Sequence, residues 1–181
     1  MQRIYIPVLV IIVTIAAACK KNNSTTNDPN NVPGLPPATQ IGANTFGCLV
    51  NGVPWVPQGS NGTNNLSIDY DPGFNNGIFN IVAYKFIAPI DEQILLGVRD
   101  SLNFINAPIS LSLSRNSLYA ISYKKDCDWW NRFPDVYSDG ILTINKLDRN
   151  SRIISGVFYT TMHKVGCDTI KITNGRFDFK F

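Results

Sequence analysis

From Thr45 to Phe181 the chain breaks its apolar runs about every ten residues with Asn, Gly, Pro or Asp. Between the breaks, apolar and polar residues alternate with the period of two that a half-buried strand requires. A chain patterned this way cannot present the wide apolar stripe of a helix, so its core must be assembled from many short strands. Composition agrees. Glu92 is the single glutamate, while Asn, Gly, Ser and Thr are plentiful, a mixture poor in helix formers and rich in turn residues. The expected fold class is all-β: an antiparallel β-sandwich or flattened barrel of about eight to ten short strands.

Several segments support specific pairings. In Thr45–Pro57, "TFGCLVNGVPWVP", a two-residue turn at Asn51-Gly52 sets Val50 against Val53 and Cys48 against Trp55. Pro54 and Pro57 lack ladder donors, which places the second arm at a sheet edge. "GIFNIVAYKFI" is apolar on both faces and reads as a central strand. "EQILLGV" reads as a strand rather than a helix, since Gly97 and the lack of a cap weaken the helical alternative. In "ISLSLS" Ile109, Leu111 and Leu113 face one way. "GILTINKLDRNSRIISGVFYTTM" reads as a hairpin with a polar turn at Asp148 to Ser151, and Gly156 marks a bulge or a close backbone approach. The last segment, "CDTIKITNGRFDFKF", changes parity: Ile170 and Ile172 are even, Phe177, Phe179 and Phe181 odd. Either a hairpin at Asn174-Gly175 or one long strand bulged at Gly175 restores a single apolar face.

The N-terminus is built differently. Arg3 precedes fifteen uncharged residues, Ile4 to Ala18. As a helix these cover about 22 Å, short of the ~30 Å bilayer core. The run has the dimensions of a signal peptide, and Ala16, Ala17 and Ala18 supply the small residues a peptidase needs. Cys19 follows at once. Ala-Ala-Ala-Cys matches a lipobox, with Cys19 as the residue carrying palmitate-type acyl chains; several such chains give a lasting membrane anchor. The expected organisation is a lipoprotein signal peptide at 1–18, a flexible Asn/Pro/Thr-rich tether at 19–44 and one all-β domain at 45–181. As extended polyproline II the tether reaches ~75 Å. The corresponding location is the cell envelope, lipid-anchored in the outer membrane and facing the periplasm.

The formal charge of +3 falls to about +2 when Arg3 leaves with the signal. No Lys/Arg-rich run is present, which argues against a nucleic-acid partner. Of four cysteines, Cys127 and Cys167 lie in polar, turn-like surroundings and are expected to pair. Cys48 sits in an apolar strand as a small buried hydrophobe. His163 is the one histidine. Neither a zinc site nor a Ser-His-Asp arrangement can be assembled around it, and no metal or cofactor is expected. "DYDPGFNNG", Asp69 to Gly77, spaces oxygen ligands as a calcium loop might, but lacks the bidentate Glu and reads as a hairpin loop. Asp126 and Asp128 flank Cys127 and form the one carboxylate pair worth weighing for glycan hydrolysis, both at a solvated loop. No catalytic residue is assigned. "DCDWWNRFPDVY" is the most unusual stretch: Trp129, Trp130, Arg132 and Tyr137 are the candidate ligand-binding residues, since flat aromatic faces receive sugar rings or partner side chains. Beyond the membrane, a glycan or a protein is the partner such a surface suits.

Taken together, the lipobox, the tether, "TFGCLVNGVPWVP" and "ITNGRFDFKF" resemble a family of small Gram-negative lipoproteins with a TFGCxVNGxxW opening and an ITxGRFD ending. The matching positions are Thr45, Phe46, Gly47, Cys48, Val50, Asn51, Gly52 and Trp55, then Ile172, Thr173, Gly175, Arg176, Phe177 and Asp178. The resemblance implies an envelope location and an all-β fold. It carries no activity with it.

Overall fold

The computed structural model describes residues 31–181, so Cys19 and the expected signal peptide lie outside the described residues. Two antiparallel sheets pack face to face. One has the order β2-β1-β11-β10-β9-β6 and the other β3-β4-β5-β7-β8. In chain order the strands are β1 Thr45–Val50, β2 Val53–Trp55, β3 Leu66–Asp71, β4 Ile78–Lys85, β5 Glu92–Val98, β6 Ile109–Ser112, β7 Tyr119–Lys124, β8 Asp128–Trp130, β9 Val136–Asp148, β10 Ile153–Lys164 and β11 Ile170–Lys180. The sheets do not close into a barrel, so the expected all-β class resolves to the sandwich. Eleven strands among the described residues exceed the expected eight to ten. One that pattern reading passes over is β8, three residues within the aromatic stretch. Among the described residues no helix is long and apolar enough to cross a membrane.

Local chemistry places the strands as expected. Asn51 and Gly52 both have positive φ, and the hairpin pairs Val50 with Val53 and Cys48 with Trp55. β2 is an edge and β4 is interior. The Asp148 carboxylate accepts the Asn150 and Ser151 amides and so caps the β9–β10 turn. The core lies between the sheets. Phe79, Ile81, Ile94, Leu96 and Ile121 of one sheet meet Phe46, Leu142, Ile154, Ile172 and Phe177 of the other, all at 2% exposure or less.

The parity change near the C-terminus is resolved by a bulge. β11 is one continuous strand. Against β1 it advances from Thr173 to Arg176 while its partner moves from Leu49 to Gly47; against β10 it advances from Ile172 to Gly175 while Thr160 steps to Phe158. One extra residue is thus taken up at Asn174, whose φ of 52° is a left-handed value that Asn tolerates. Ile170 and Ile172 therefore share the core with Phe177 and Phe179.

The glycines of "ISGVF" in β10 and "ITNGRF" in β11 each face a phenylalanine of the other segment. Phe158 pairs with Gly175 and Phe177 pairs with Gly156. Each ring lies over the other strand's glycine. A Cβ on Gly175 would fall 2.7 Å from the Phe158 ring, and one on Gly156 would fall 2.8 Å from the Phe177 ring and 2.3 Å from the Thr143 carbonyl oxygen. Gly156 is thus a close approach, and the β9–β10 register also shifts there.

The folded unit begins earlier than Thr45. The outward side chains of β11 include Arg176 and Asp178, yet they are only 5% and 1% exposed. Residues 34–43 cover them. The Asp178 carboxylate accepts the Thr39 hydroxyl at 2.6 Å and the amides of Ile41, Gly42 and Ala43 at 3.0, 2.8 and 3.2 Å. The Arg176 guanidinium donates to the Pro36 carbonyl, and Pro36 lies against Gly47, where a Cβ would come within 2.8 Å of its ring. The last part of the expected tether is therefore a strap across the outer face of the six-stranded sheet. Composition misjudged it because its partners are hydrogen-bonding groups more than 130 residues away rather than its own apolar side chains.

Two tests follow from these contacts. Gly156→Ala and Gly175→Ala should each destabilise the domain by about 2–3 kcal/mol through overpacking, read as a lowered urea midpoint with unchanged slope. The second concerns acid. Burial pushes the Asp178 carboxyl up, but the Thr39 hydroxyl and three amides outweigh it and hold the group below its ordinary value. Its folded pKa lies under its unfolded one, so its stabilisation is complete above the ordinary carboxylate range and is lost as pH falls through the depressed value. Amide exchange at Ile41–Ala43 should stay protected at pH 5 and rise below about pH 4. In Asp178→Asn that acid-dependent rise should disappear, with exchange already faster at pH 5.

Candidate functional site

One end of the sandwich gathers the β1–β2, β7–β8 and β10–β11 turns and the β4–β5 loop. At this end lies a cleft of about 320 Å³ between the sheets. The register builds it. Pairing with inward-facing Cys48 turns Trp55 inward, so the short edge strand β2 delivers an indole to the gap between the sheets. β5 starts at Glu92 opposite Lys85 of β4, and β7 brings Tyr123 beside it.

Glu92 is the centre of the arrangement. Its Oε2 accepts the Trp55 indole N–H at 2.7 Å and the Tyr123 hydroxyl at 3.0 Å. The Lys125 ammonium stands 3.6 Å from Oε1. Trp55 belongs to one sheet and Tyr123 to the other, so a single carboxylate ties the two layers together at their open end. Burial first, and then the neighbouring Glu92 charge, push the Tyr123 hydroxyl far above its ordinary pKa, keeping it a neutral donor. Deeper in, burial raises the free Cys48 thiol in the same way, so it stays protonated and packs as an apolar group.

The opposite wall is stapled. Cys127 and Cys167 are disulfide-bonded, as expected, joining the β7–β8 turn to the β10–β11 turn with their Cα atoms 6.4 Å apart. Trp129 seals this wall: it is 4% exposed, its ring lies 5.6 Å from that of Tyr123, and its indole N–H donates to the Asp168 carbonyl at 3.0 Å. Lys164 donates to the Asp128 carbonyl at 2.9 Å across the same junction. Asp126 and Asp168 also line the cleft, together with Lys85, Lys125 and apolar groups that include Val50 and Ile170.

The structure distributes the candidate residues of the aromatic stretch rather than assembling them. Trp129 faces the core and one wall of the cleft. Its neighbour Trp130 points to the other side of β8, half-buried and edge-on to Phe133 at 5.2 Å. Arg132 donates to the Leu118 carbonyl. Tyr137 is 66% exposed on β9, in the other sheet, opposite His163. His163 is itself exposed, with Nδ1 3.2 Å from the Thr169 hydroxyl. In the Asp69–Gly77 loop, the Asp71 carboxylate accepts the Gly73 and Phe74 amides, which commits it to its own turn. Among the described residues no three His, Cys, Asp or Glu side chains group closely enough to hold a metal ion.

Sequence reading missed the Glu92–Trp55–Tyr123 cluster. One signal was available: the chain's sole glutamate opens a strand whose other positions, Gln93 to Val98, carry no charge. Comparison with family models, with curated proteins and with solved structures yields no match.

Removing the carboxylate strands two donors, whereas removing the ammonium frees a side chain that is 42% exposed. Glu92→Ala should therefore cost about 2–3 kcal/mol in urea unfolding, and Lys125→Ala less than about 1 kcal/mol. Equal losses in the two variants would show that the carboxylate is not the tie between the sheets.

Proposed function

We propose that this chain is a cell-envelope lipoprotein, anchored through acyl chains on Cys19 and resembling the small Gram-negative family named above. On this reading its β-sandwich is a non-catalytic binding module whose end cleft receives a glycan. The observation that carries the reading is the cleft itself. Its lining combines apolar side chains with acceptors and donors: Glu92, Asp126 and Asp168 together with Lys85 and Lys125. A sugar ring has apolar faces and a polar rim, and matches that distribution. The volume suits one or two sugar rings, at the small end of ligand pockets. Glu92 is held by the Trp55 indole, the Tyr123 hydroxyl and the Lys125 ammonium, an arrangement that orients an acceptor at the cleft. The disulfide supports an oxidising compartment. Among the original candidates, Trp129 belongs to this cleft, while Trp130, Arg132 and Tyr137 lie elsewhere.

A second reading, an enzyme acting on glycans, draws on Asp126 and Glu92 lining one cleft. A glycan array probed with the full mature protein in detergent separates the two. Binding without product, weakened at least tenfold by Lys85→Ala or Asp126→Asn, supports the module. Turnover of a bound glycan that Asp126→Asn abolishes supports the enzyme. Binding that ignores both substitutions and responds to Trp130→Ala places the site outside the cleft.

A further inference from the structure

The described chain begins beside the cleft end. A Cβ on Gly34 would lie 2.9 Å from Pro54, the neighbour of Val53, and from there the strap runs across to Asp178 toward the opposite end. Large apolar side chains stand exposed on three connections around the cleft mouth: Val53 after the β1–β2 turn at 63%, Ile87 and Ile90 in the β4–β5 loop at 44% and 40%, and Val165 in the β10–β11 turn at 80%. None of these residues packs into the core cluster.

We infer that this end of the sandwich rests on the bilayer that holds the anchor, with Val53, Ile87, Ile90 and Val165 entering its interface, so that the cleft opens on the headgroup layer and the glycan it receives is one presented there. The inference relies on the reading of Cys19 as the acylated residue. Chain length selects this end. Residues 20 to 30, eleven in all, reach ~40 Å only at full extension, and a loose coil of that length averages about 18 Å. The opposite end also exposes apolar groups, Phe74 and Phe104. It lies about 40 Å further along the twelve-residue β10. Docking of the strap is what makes the limit short, because residues 34–43 are spent on the sheet and add no reach. Charge defines the kind of surface. Lys85, Lys124, Lys125, Lys164 and Lys171 at this end are offset by Asp91, Glu92, Asp126, Asp128, Asp135 and Asp168, so the contact is apolar insertion and not attraction to anionic lipid.

The test uses the full acylated protein in phosphatidylcholine vesicles, with an environment-sensitive fluorophore on Val53→Cys or on Phe104→Cys. Cys48 is buried and does not compete for label. Nitroxide-headgroup lipid should quench the label at 53 at least threefold more than the label at 104. Ile87→Asp with Ile90→Asp should erase that difference while the protein stays on the vesicles, and adding phosphatidylglycerol should change quenching less than twofold. Vesicle-bound protein whose two labels are quenched alike, or whose label at 104 is quenched more, overturns the inference alone. Protein absent from the vesicles overturns the anchored reading and this inference with it.

Discussion

The rest of the molecule hangs on the bulge at Asn174 in β11. That strand lies inside the six-stranded sheet, flanked by β1 and β10. One extra residue switches which positions face inward. Without it, Phe177 and Phe179 would leave the core that Ile170 and Ile172 enter, a transfer of two aromatic side chains to water. The same switch turns Arg176 and Asp178 outward as a pair. One local deviation thus completes the apolar side and creates the polar seat that captures the strap.

The reciprocal Phe–Gly contacts explain why the bulge sits where it does. Aromatic rings laid over glycine on a neighbouring strand shield a backbone that otherwise lacks cover, and the absent Cβ lets the ring approach. Phe158 over Gly175 and Phe177 over Gly156 lock β10 and β11 in one register. A slip by one residue would bring both rings against side chains. The pairing extends the stacked aromatic row through Phe46 and Phe79, so register and core packing are set together.

The two ends of the sandwich are built on different chemistry. At the cleft end, a carboxylate bridges the sheets and a disulfide staples the adjacent turns, leaving a concave opening with fixed walls. At the strap end the Asp178 hydrogen bonds hold an extended segment that has few apolar contacts of its own. Rigidity is therefore concentrated where a ligand would sit. Side chains at such a cleft keep their positions before anything binds, which lowers the ordering cost of binding.

Local information determined a good deal on its own. The period-two pattern and the turn residues state the strand content, and Asn51-Gly52 states its hairpin to the residue, because φ preferences and alternation act between immediate neighbours. The Cys127–Cys167 pair was also legible, from polar surroundings against the apolar surroundings of Cys48. What only the tertiary structure decided has one physical source: polar groups far apart in the chain that become partners once the sheets close. Bulge against hairpin at Asn174-Gly175 turns on what β1 and β10 offer across the ladder. The strap turns on Asp178 reaching back to Thr39, and the cleft turns on Trp55, Glu92 and Tyr123 meeting from two sheets. No window of neighbouring residues contains those pairs, and burial, which gives them their strength, does not exist until the fold does.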